Sequence, residues 1–415
     1  MAGWGRMGRD PVITIVTQFV TAMTWAYVYV FLPFYIRSIS PYDHERTLLW
    51  TGLIVGISGA TSALTAPLMG GLAGRWRPKL ILRVGIVFQG LLIAALAATH
   101  NLPALFLLRF LIGTIGGLST IGMVVISATS PPGGLTATMG AFQAGITLGH
   151  IMGPLAGALT ADLVGFHGAF LIGGAVMGVA YALCQWGMTD IPAFSPSPGA
   201  EPVRGGRLAS AWLLCFAAAL QIAFMPSVLP DIVAALGVPA GRAVRMAGLI
   251  VFAYGAASIG GSFLLSRLAG RWGERRTLAV AAVGGSALLP LLALTGSVAA
   301  FGAVRFVQVG LIAGAIPIVF AQVAGASPGR TIGVINTSRF TAFAVGPFMA
   351  TWFFAQASPA ALYLTLSAFT LAVLPALRRP PAPVSTEATF SLSAAKKTPR
   401  QKSLDRAKRD GYVAS

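Results

Sequence analysis

Acidic residues are scarce in this chain: 11 Asp and Glu stand among 415 residues. Charge of either sign is scarce as well, at 10% of the sequence, where a soluble domain carries about a quarter. An ordinary soluble globule is thereby excluded. The 2 cysteines, Cys184 and Cys215, both fall inside apolar stretches, so neither a disulfide framework nor a metal cluster is expected. No H-E-x-x-H or other paired catalytic group occurs in those stretches, so neither an enzyme nor a cofactor is expected. What the chain does have is 56% hydrophobic residues, 50 Gly, 26 Pro and a mean hydropathy of +0.78. That hydrophobicity excludes disorder over most of the length, and Gly and Pro are commoner in transmembrane helices than in soluble ones. A net charge of +18 would fit a nucleic-acid binder only if it were spread over a solvated surface, and it is not.

The positions of the charges define the membrane spans. Ten charge-free runs lie at 11–36, 47–74, 84–108, 110–161, 163–189, 208–230, 246–266, 277–304, 306–329 and 340–377, none shorter than 21 residues. A helix needs about 20 apolar residues to cross a hydrocarbon core of about 30 Å. Two runs are too long for one crossing, and each contains a turn signal: Ser130-Pro131-Pro132-Gly133-Gly134 in one and Ser358-Pro359 in the other. The expectation is therefore twelve helices. A barrel is excluded because no strand-like alternation of polar and apolar residues is present. With both termini placed in the cytoplasm, 22 of the 29 basic residues fall on the inner side, 4 on the outer side and 3 within helices, as the positive-inside rule requires. The N-terminal apolar stretch is too long for a cleavable signal and becomes the first span.

The two halves repeat each other. Leu72-Ala73-Gly74-Arg75-Trp76 recurs as Leu268-Ala269-Gly270-Arg271-Trp272, and Arg109-Phe110 as Arg305-Phe306, both 196 residues later. Leu32-Pro33 matches Leu229-Pro230 at 197, and Gly153-Pro154 matches Gly346-Pro347 at 193. Six helices per half is an even number, so the halves insert in parallel, which is one of the transporter architectures. The expected organisation is a six-helix bundle over 1–189, a Pro/Ser/Gly-rich cytoplasmic linker over 190–207, a second bundle over 208–377 and a basic, disordered cytoplasmic tail over 378–415. The tail's charge is read as topological, with contact to anionic lipid as a second use.

These residues resemble the major facilitator superfamily. The loop Gly70-Gly71-Leu72-Ala73-Gly74-Arg75-Trp76-Arg77-Pro78-Lys79 is similar to the family's G-x-L-A-D-R-x-G-R-K signature. Arg109-Phe110-Leu111-Ile112-Gly113 is similar to R-x-x-x-G, and Gly149-His150-Ile151-Met152-Gly153-Pro154-Leu155-Ala156-Gly157 to the G-x-x-x-G-P-x-x-G of its proton-coupled exporters. The resemblance spans residues 10–377 and is nearest the twelve-helix drug:proton antiporters of the multidrug efflux type. It implies an all-α membrane protein of twelve transmembrane helices in two parallel six-helix repeats, monomeric, in the bacterial inner membrane. The loop signature's Asp is Gly74 here, with Gly270 at the matching place. In the family that Asp helps lock a gate; Arg75 and Arg271 remain to meet helix C-terminal carbonyls.

Polar residues inside spans are costly and mark function. Thr14, Gln18, Thr21, Trp25 and Tyr29 lie along one face of the first helix at spacings of 4, 3, 4 and 4. By resemblance that helix lines a central cavity with the fourth, seventh and tenth, which carry Ser119, Thr120, Gln221 and Gln308. Interfacial anchoring is the other reading for Trp25 and Tyr29. Arg109 and Arg305 sit about seven residues inside their helices, about 10 Å deep, and no acid lies in any of the ten runs. They meet either a substrate anion or, in a purely structural role, backbone carbonyls. Cationic-drug exporters of the family use a membrane carboxylate to carry the proton. Here the titratable candidates are His150 on the fifth helix, which can equally be a structural donor, and Asp162 at that helix's outer end. Gly145, Gly149, Gly153 and Gly157, four apart, make a smooth ridge beside Pro154 that suits two halves rocking against each other. Asn336, Ser338 and Arg339 are read as the start of the eleventh helix, where Arg339 is either substrate-facing or interfacial, the second reading being preferred.

Proton-coupled efflux of a small amphipathic organic solute, neutral or anionic, is the function expected. The alternatives are a facilitator or importer of the same fold for a sugar or organic anion, and a non-transporting membrane sensor. Partners are the bilayer, the substrate and protons; no nucleic acid and no metal are expected.

Overall fold

A computed structural model describes residues 8–72, 75–130, 135–190, 205–324 and 330–375. Gly74, the turn 131–134, most of the linker and the basic tail lie outside the described residues. Among those described, the chain is helical throughout, with no strand. The first half contains α1 (Arg9–Ile39), α2 (His44–Leu72), α3 (Pro78–Ala95), α4 (Leu102–Thr114), α5 (Leu118–Thr129) and α6 (Leu135–Ala182). The second contains α7 (Gly205–Ala223), α8 (Leu229–Ala235), α9 (Ala240–Trp272), α10 (Glu274–Leu288), α11 (Val298–Ala324), α12 (Arg330–Gln356) and α13 (Pro359–Val373).

Local signals set several helix starts. Pro78, Pro103 and Pro359 stand in first turns, where a missing N–H costs nothing. Asn101 and Ser358 cap their helices by accepting from the amides of Ala104 at 2.9 Å and Ala361 at 3.2 Å. Nine helical stretches among the described residues are long and apolar enough to cross a membrane, and Pro359–Val373 is apolar but shorter. One of the nine, Ala141–Gly187, is 47 residues long, over twice what one crossing requires. No loop divides it, although Asp162 marks a boundary in the sequence. The backbone instead breaks at Gly165, with φ 74° and ψ 173°, a conformation that only glycine adopts without strain. Gly157 and Gly173, at equal distances on either side, both pack on Tyr27 of α1, so the chain doubles back at Gly165.

Large apolar side chains such as Leu64, Leu91, Leu163, Phe263 and Leu294 point outward, as a lipid-facing surface demands. Among the described residues the interior holds two large cores and a smaller cluster around Ile15, Ile126 and Phe142. Phe31, Tyr35, Phe170, Leu82, Ile86 and Ile93 centre the first, and Phe224, Leu229, Tyr254, Leu289, Tyr363 and Leu366 the second. Most enclosed is α1, with 78% of its apolar window buried. It packs against α6 and also reaches α9 of the other half.

Candidate functional site

Each half buries one arginine in its helix interior. Arg109 of α4 is 2% exposed and Arg305 of α11 is fully buried. Arg109 donates from Nε to the carbonyl of Ile54 and from Nη2 to that of Val55, both at 3.3 Å, and Nη2 also meets the Ser58 hydroxyl. Those partners all lie on α2. Arg305 donates from Nη2 to the carbonyl of Gln221 at 2.9 Å and from Nη1 to Oε1 of Gln308. Gln308 donates in turn to Oε1 of Gln221 at 2.7 Å, and Gln221 donates to the hydroxyls of Ser286 at 3.1 Å and Thr370 at 2.6 Å. Each guanidinium also lies over aromatic rings. Arg109 stands 5.9 Å from the Trp25 centroid and 5.1 Å from that of Tyr29; Arg305 stands 5.1 Å from Phe224 and 4.9 Å from Tyr254. Carbonyls, side-chain oxygens and rings thus hold each guanidinium without an acid, with only Arg305 Nε buried and unpartnered among the described residues.

Two adjoining cavities open at the centre. One, of about 790 Å³, is lined by Gln18, Thr21, Trp25, Ser119, Gln143 and Ile146 among others. The second, of about 970 Å³, is lined by Tyr29, Pro154, Ala223, Tyr254 and Ser258 among others. Trp25, His150, Arg339 and Phe343 line both. Of the polar face expected on α1, Gln18, Thr21, Trp25 and Tyr29 thus reach a cavity. Arg109, Gln221, Arg305 and Gln308 do not; they lie behind the walls, inside their own halves.

Of the two positions that the sequence allows Arg339, interfacial or substrate-facing, it occupies the one at the cavity. Its helix begins at Arg330, so Arg339 lies more than two turns in, about 13 Å along the axis, rather than at the interface. A signal for this was present. The 193-residue offset that aligns the two Gly-Pro pairs also aligns Arg339 with Ile146 and Phe343 with His150, and all four line cavities.

The gate residues divide between faces. At one face, pairs join the halves: Arg37 Nη1 and His44 Nε2 approach Asp231 Oδ1 at 3.4 and 3.2 Å, Arg245 pairs with Asp162, and Gln356 bonds Glu45. At the opposite face Arg77 pairs with Asp190, and Lys79 donates to the carbonyl of Met188 at 2.6 Å, both within the first half. Arg75 and Arg271 are exposed there. The glycine ridge of α6 does not lie between the halves. A Cβ on Gly149 would stand 2.5 Å from the carbonyl oxygen of Phe19, and Gly153 and Gly157 abut Met23 and Tyr27, all on α1. Glycine periodicity reveals a smooth face but not its partner. The close seam between halves is on α2, where a Cβ on Gly56 would lie 2.5 Å from the Ala344 carbonyl oxygen and one on Gly59 2.7 Å from the Ala344 amide. On α9, Gly248 and Gly255 face Ala158 and Ile151.

Comparison with known proteins fits this geometry. The profile of the Major Facilitator Superfamily matches residues 14–239 and again 210–409. Multidrug resistance protein MdtG of Proteus mirabilis (strain HI4320) is 30% identical over 163 residues, 39% of this chain and 40% of that protein. The alignment thus spans about two fifths of the curated relative. Among solved structures, the human organic anion transporter MFSD10 (TETRAN) superposes with a TM-score of 0.70 at 16% identity, covering 89% of this chain and 99% of that one. A bacterial homologue of the human lysosomal transporter Spinster, inward-facing and occupied, superposes with a TM-score of 0.69 at 14% identity, over 94% and 97%. At such identities the likeness is one of fold.

Proposed function

The chain belongs to the major facilitator superfamily and is a multi-pass protein of the inner membrane, and we propose that it exports a small amphipathic organic solute by alternating access, driven by protons. We count twelve crossings: the long span bent at Gly165 supplies two, and α12 and α13 complete the set. The positive-inside count places both termini in the cytoplasm, so the face bearing Asp231 and Asp162 is the outer one. One observation carries the reading. The central cavity is walled by α1 and α6 from one half and by α7, α9 and α12 from the other, while charged pairs tie the halves together at the outer face. A site at the seam of two bundles, closed on one side, is the arrangement that alternating access needs.

The substrate reading is neutral or anionic, because among the described residues the cavity lining contains an arginine and polar groups and no acid. Its walls pair aromatic rings with a few polar groups, which suits an amphipathic molecule. We assign Arg109 and Arg305 to holding those rings from behind, and His150 to the proton. The test is uphill movement of solute in proteoliposomes under an imposed pH gradient, in wild type and His150→Ala. Export in exchange for protons, weakened in the variant, is the expected result. Unchanged proton flux removes His150 from the mechanism, and absence of gradient-driven movement removes secondary-active transport.

A second reading has its own support. His150 and Arg339 line the same cavities, so a proton on the first and an anion beside the second attract each other and load together. That coupling fits uptake of an organic anion with a proton. The direction of the gradient that drives accumulation separates the two.

A further inference from the structure

We propose that Arg339 is the recognition residue of the central cavity and that its ligand is an organic anion, a carboxylate or sulfonate carried on a flat apolar body. The proposal rests on the transport reading only for the meaning of the cavity, and it names the substrate class for that site.

Buried cations differ in what holds them. Arg109 and Arg305 each donate several hydrogen bonds, to carbonyls, a hydroxyl and a glutamine, although Arg305 Nε is buried without a partner. Arg339 is part-buried and lines both cavities, and among the described residues no hydrogen bond or ion pair satisfies it. The acids among the described residues are engaged elsewhere. Asp162 and Asp231 bind Arg245 and Arg37 at the outer face, Asp190 binds Arg77, and Asp10 accepts from the amide of Thr189 at 2.7 Å. Asp43 accepts from the amide of Arg46 at 2.9 Å, Glu45 binds Gln356, and Glu274 opens α10 on the opposite face. None lines either cavity.

A guanidinium drawn out of bulk water without a counter-charge is expensive. Its five donors lie in a planar fork that fits two oxygens of one anion. A ligand bringing those oxygens supplies what the protein leaves out. The surroundings describe the rest of it. Trp25, Phe340 and Phe343 offer flat apolar surfaces beside Arg339, and Tyr254 stands across the second cavity. Gln143 and Ser119 present polar side chains in the first cavity for a further hydrogen bond. An organic cation meets Arg339 with no acid among the described lining residues to offset it, so it is repelled where the anion is held.

The test uses full-length protein in nanodiscs of neutral phosphatidylcholine and three probes with one ring system: 2-naphthoate, 2-naphthamide and 2-naphthylmethylammonium. Binding is read as the ligand-dependent rise in unfolding temperature. The anion should stabilise wild type most and the cation least. In Arg339→Gln the affinity for 2-naphthoate should fall at least tenfold, with the affinity for 2-naphthamide changed less than twofold; Arg339→Lys should recover part of the loss. The amide serves as the folding control, since a misfolded variant loses both. Anionic phosphatidylglycerol in the nanodisc should leave the naphthoate affinity within twofold; competition by that lipid would assign Arg339 to a headgroup instead. Equal stabilisation by all three probes, no anion-dependent shift in wild type, or an unchanged Arg339→Gln variant overturns the proposal. Because the assay needs no flux, anion binding without gradient-driven movement would sink the transport reading and leave this one standing.

Discussion

The two halves bury an arginine at the same register and satisfy it by different means. Arg109 reaches across to α2 and takes two carbonyls and one hydroxyl. Arg305 reaches to α7 and joins a chain of side chains, Gln308, Gln221, Ser286 and Thr370. Helix carbonyls keep their own intrahelical bonds when an arginine leaves. A side-chain network does not recover, because each member was buried on the strength of the next. Repeated sequence therefore preserved the charge and its depth, while the support diverged. The cavity follows the same division: the first half contributes most of its polar wall through α1, α5 and α6, and the second contributes Arg339 through α12.

The largest expected effect follows from that contrast. Arg305→Met should destabilise more than Arg109→Met, because it strands Gln308 Oε1 and loosens Gln221 in a site that water does not reach. At about 1–3 kcal/mol for each orphaned buried group, the difference should be several degrees in the unfolding temperature of the detergent-purified protein. Equal losses would mean that the network contributes nothing beyond the carbonyl bonds, and the comparison would collapse.

A second contrast lies where each half reverses direction. The 193-residue offset aligns Gly165 with Ser358. Gly165 turns with φ 74°, whereas Ser358 is extended at φ −158° and caps α13. Gly165→Ala should cost about 1–3 kcal/mol through backbone strain. Ser358→Gly should cost only a few tenths, since glycine is itself a tolerable cap. Thermal unfolding of the two variants orders them; a harmless Gly165→Ala would show that the turn can adopt an ordinary loop.

Much of this was legible in the residues, and what was not has a common cause. Charge-free runs located the helices, and the 196 offset found the pair Arg109 and Arg305. The direction in which those arginines point was not legible, because their partners Ile54, Val55 and Gln221 are named by packing between helices, not by any pattern in α4 or α11. The ridge at Gly145–Gly157 failed in the same way: spacing defines a face, and only the fold supplies α1 as its neighbour. The preference for an interfacial Arg339 fails for a different reason. A charged residue need not end a span, and α12 begins nine residues earlier. Gly165 gave no signal because one glycine among 50 is not a turn until the backbone around it is known.

The seams between and within halves respond to the same substitution in opposite ways. Gly153 abuts α1 inside the first half, and Gly56 meets the Ala344 carbonyl across the halves. Gly153→Ala should lower the unfolding temperature, because the bundle must spread to admit a methyl group. Gly56→Ala should leave stability nearly unchanged and instead favour states in which the halves part. Labelling of a Ser119→Cys reporter in the cavity, compared with spin-label distances across the outer face, reads that shift. Lowered stability with no change in distances for Gly56→Ala would make α2 and α12 a fixed joint.

The outer-face pairs give the smallest effect and complete the comparison, because they are reciprocal. In one, the second half supplies the acid, Asp231, and the first half its partners Arg37 and His44. In the other the first half supplies Asp162 and the second Arg245. Exposure limits what each can be worth: the Arg245 side chain is 54% exposed and that of Asp162 15%, so the coupling should be about 0.2–1 kcal/mol and fall with added salt. A double-mutant cycle of Asp162→Asn and Arg245→Gln, read as the fraction of molecules closed at the outer face, measures it. The charge-exchanged variant Asp162→Arg with Arg245→Asp should restore closure, since a tie between halves depends on opposite signs and not on which half carries which. A cycle with zero coupling would leave closure to the Asp231 pairs and the glycine seam of α2.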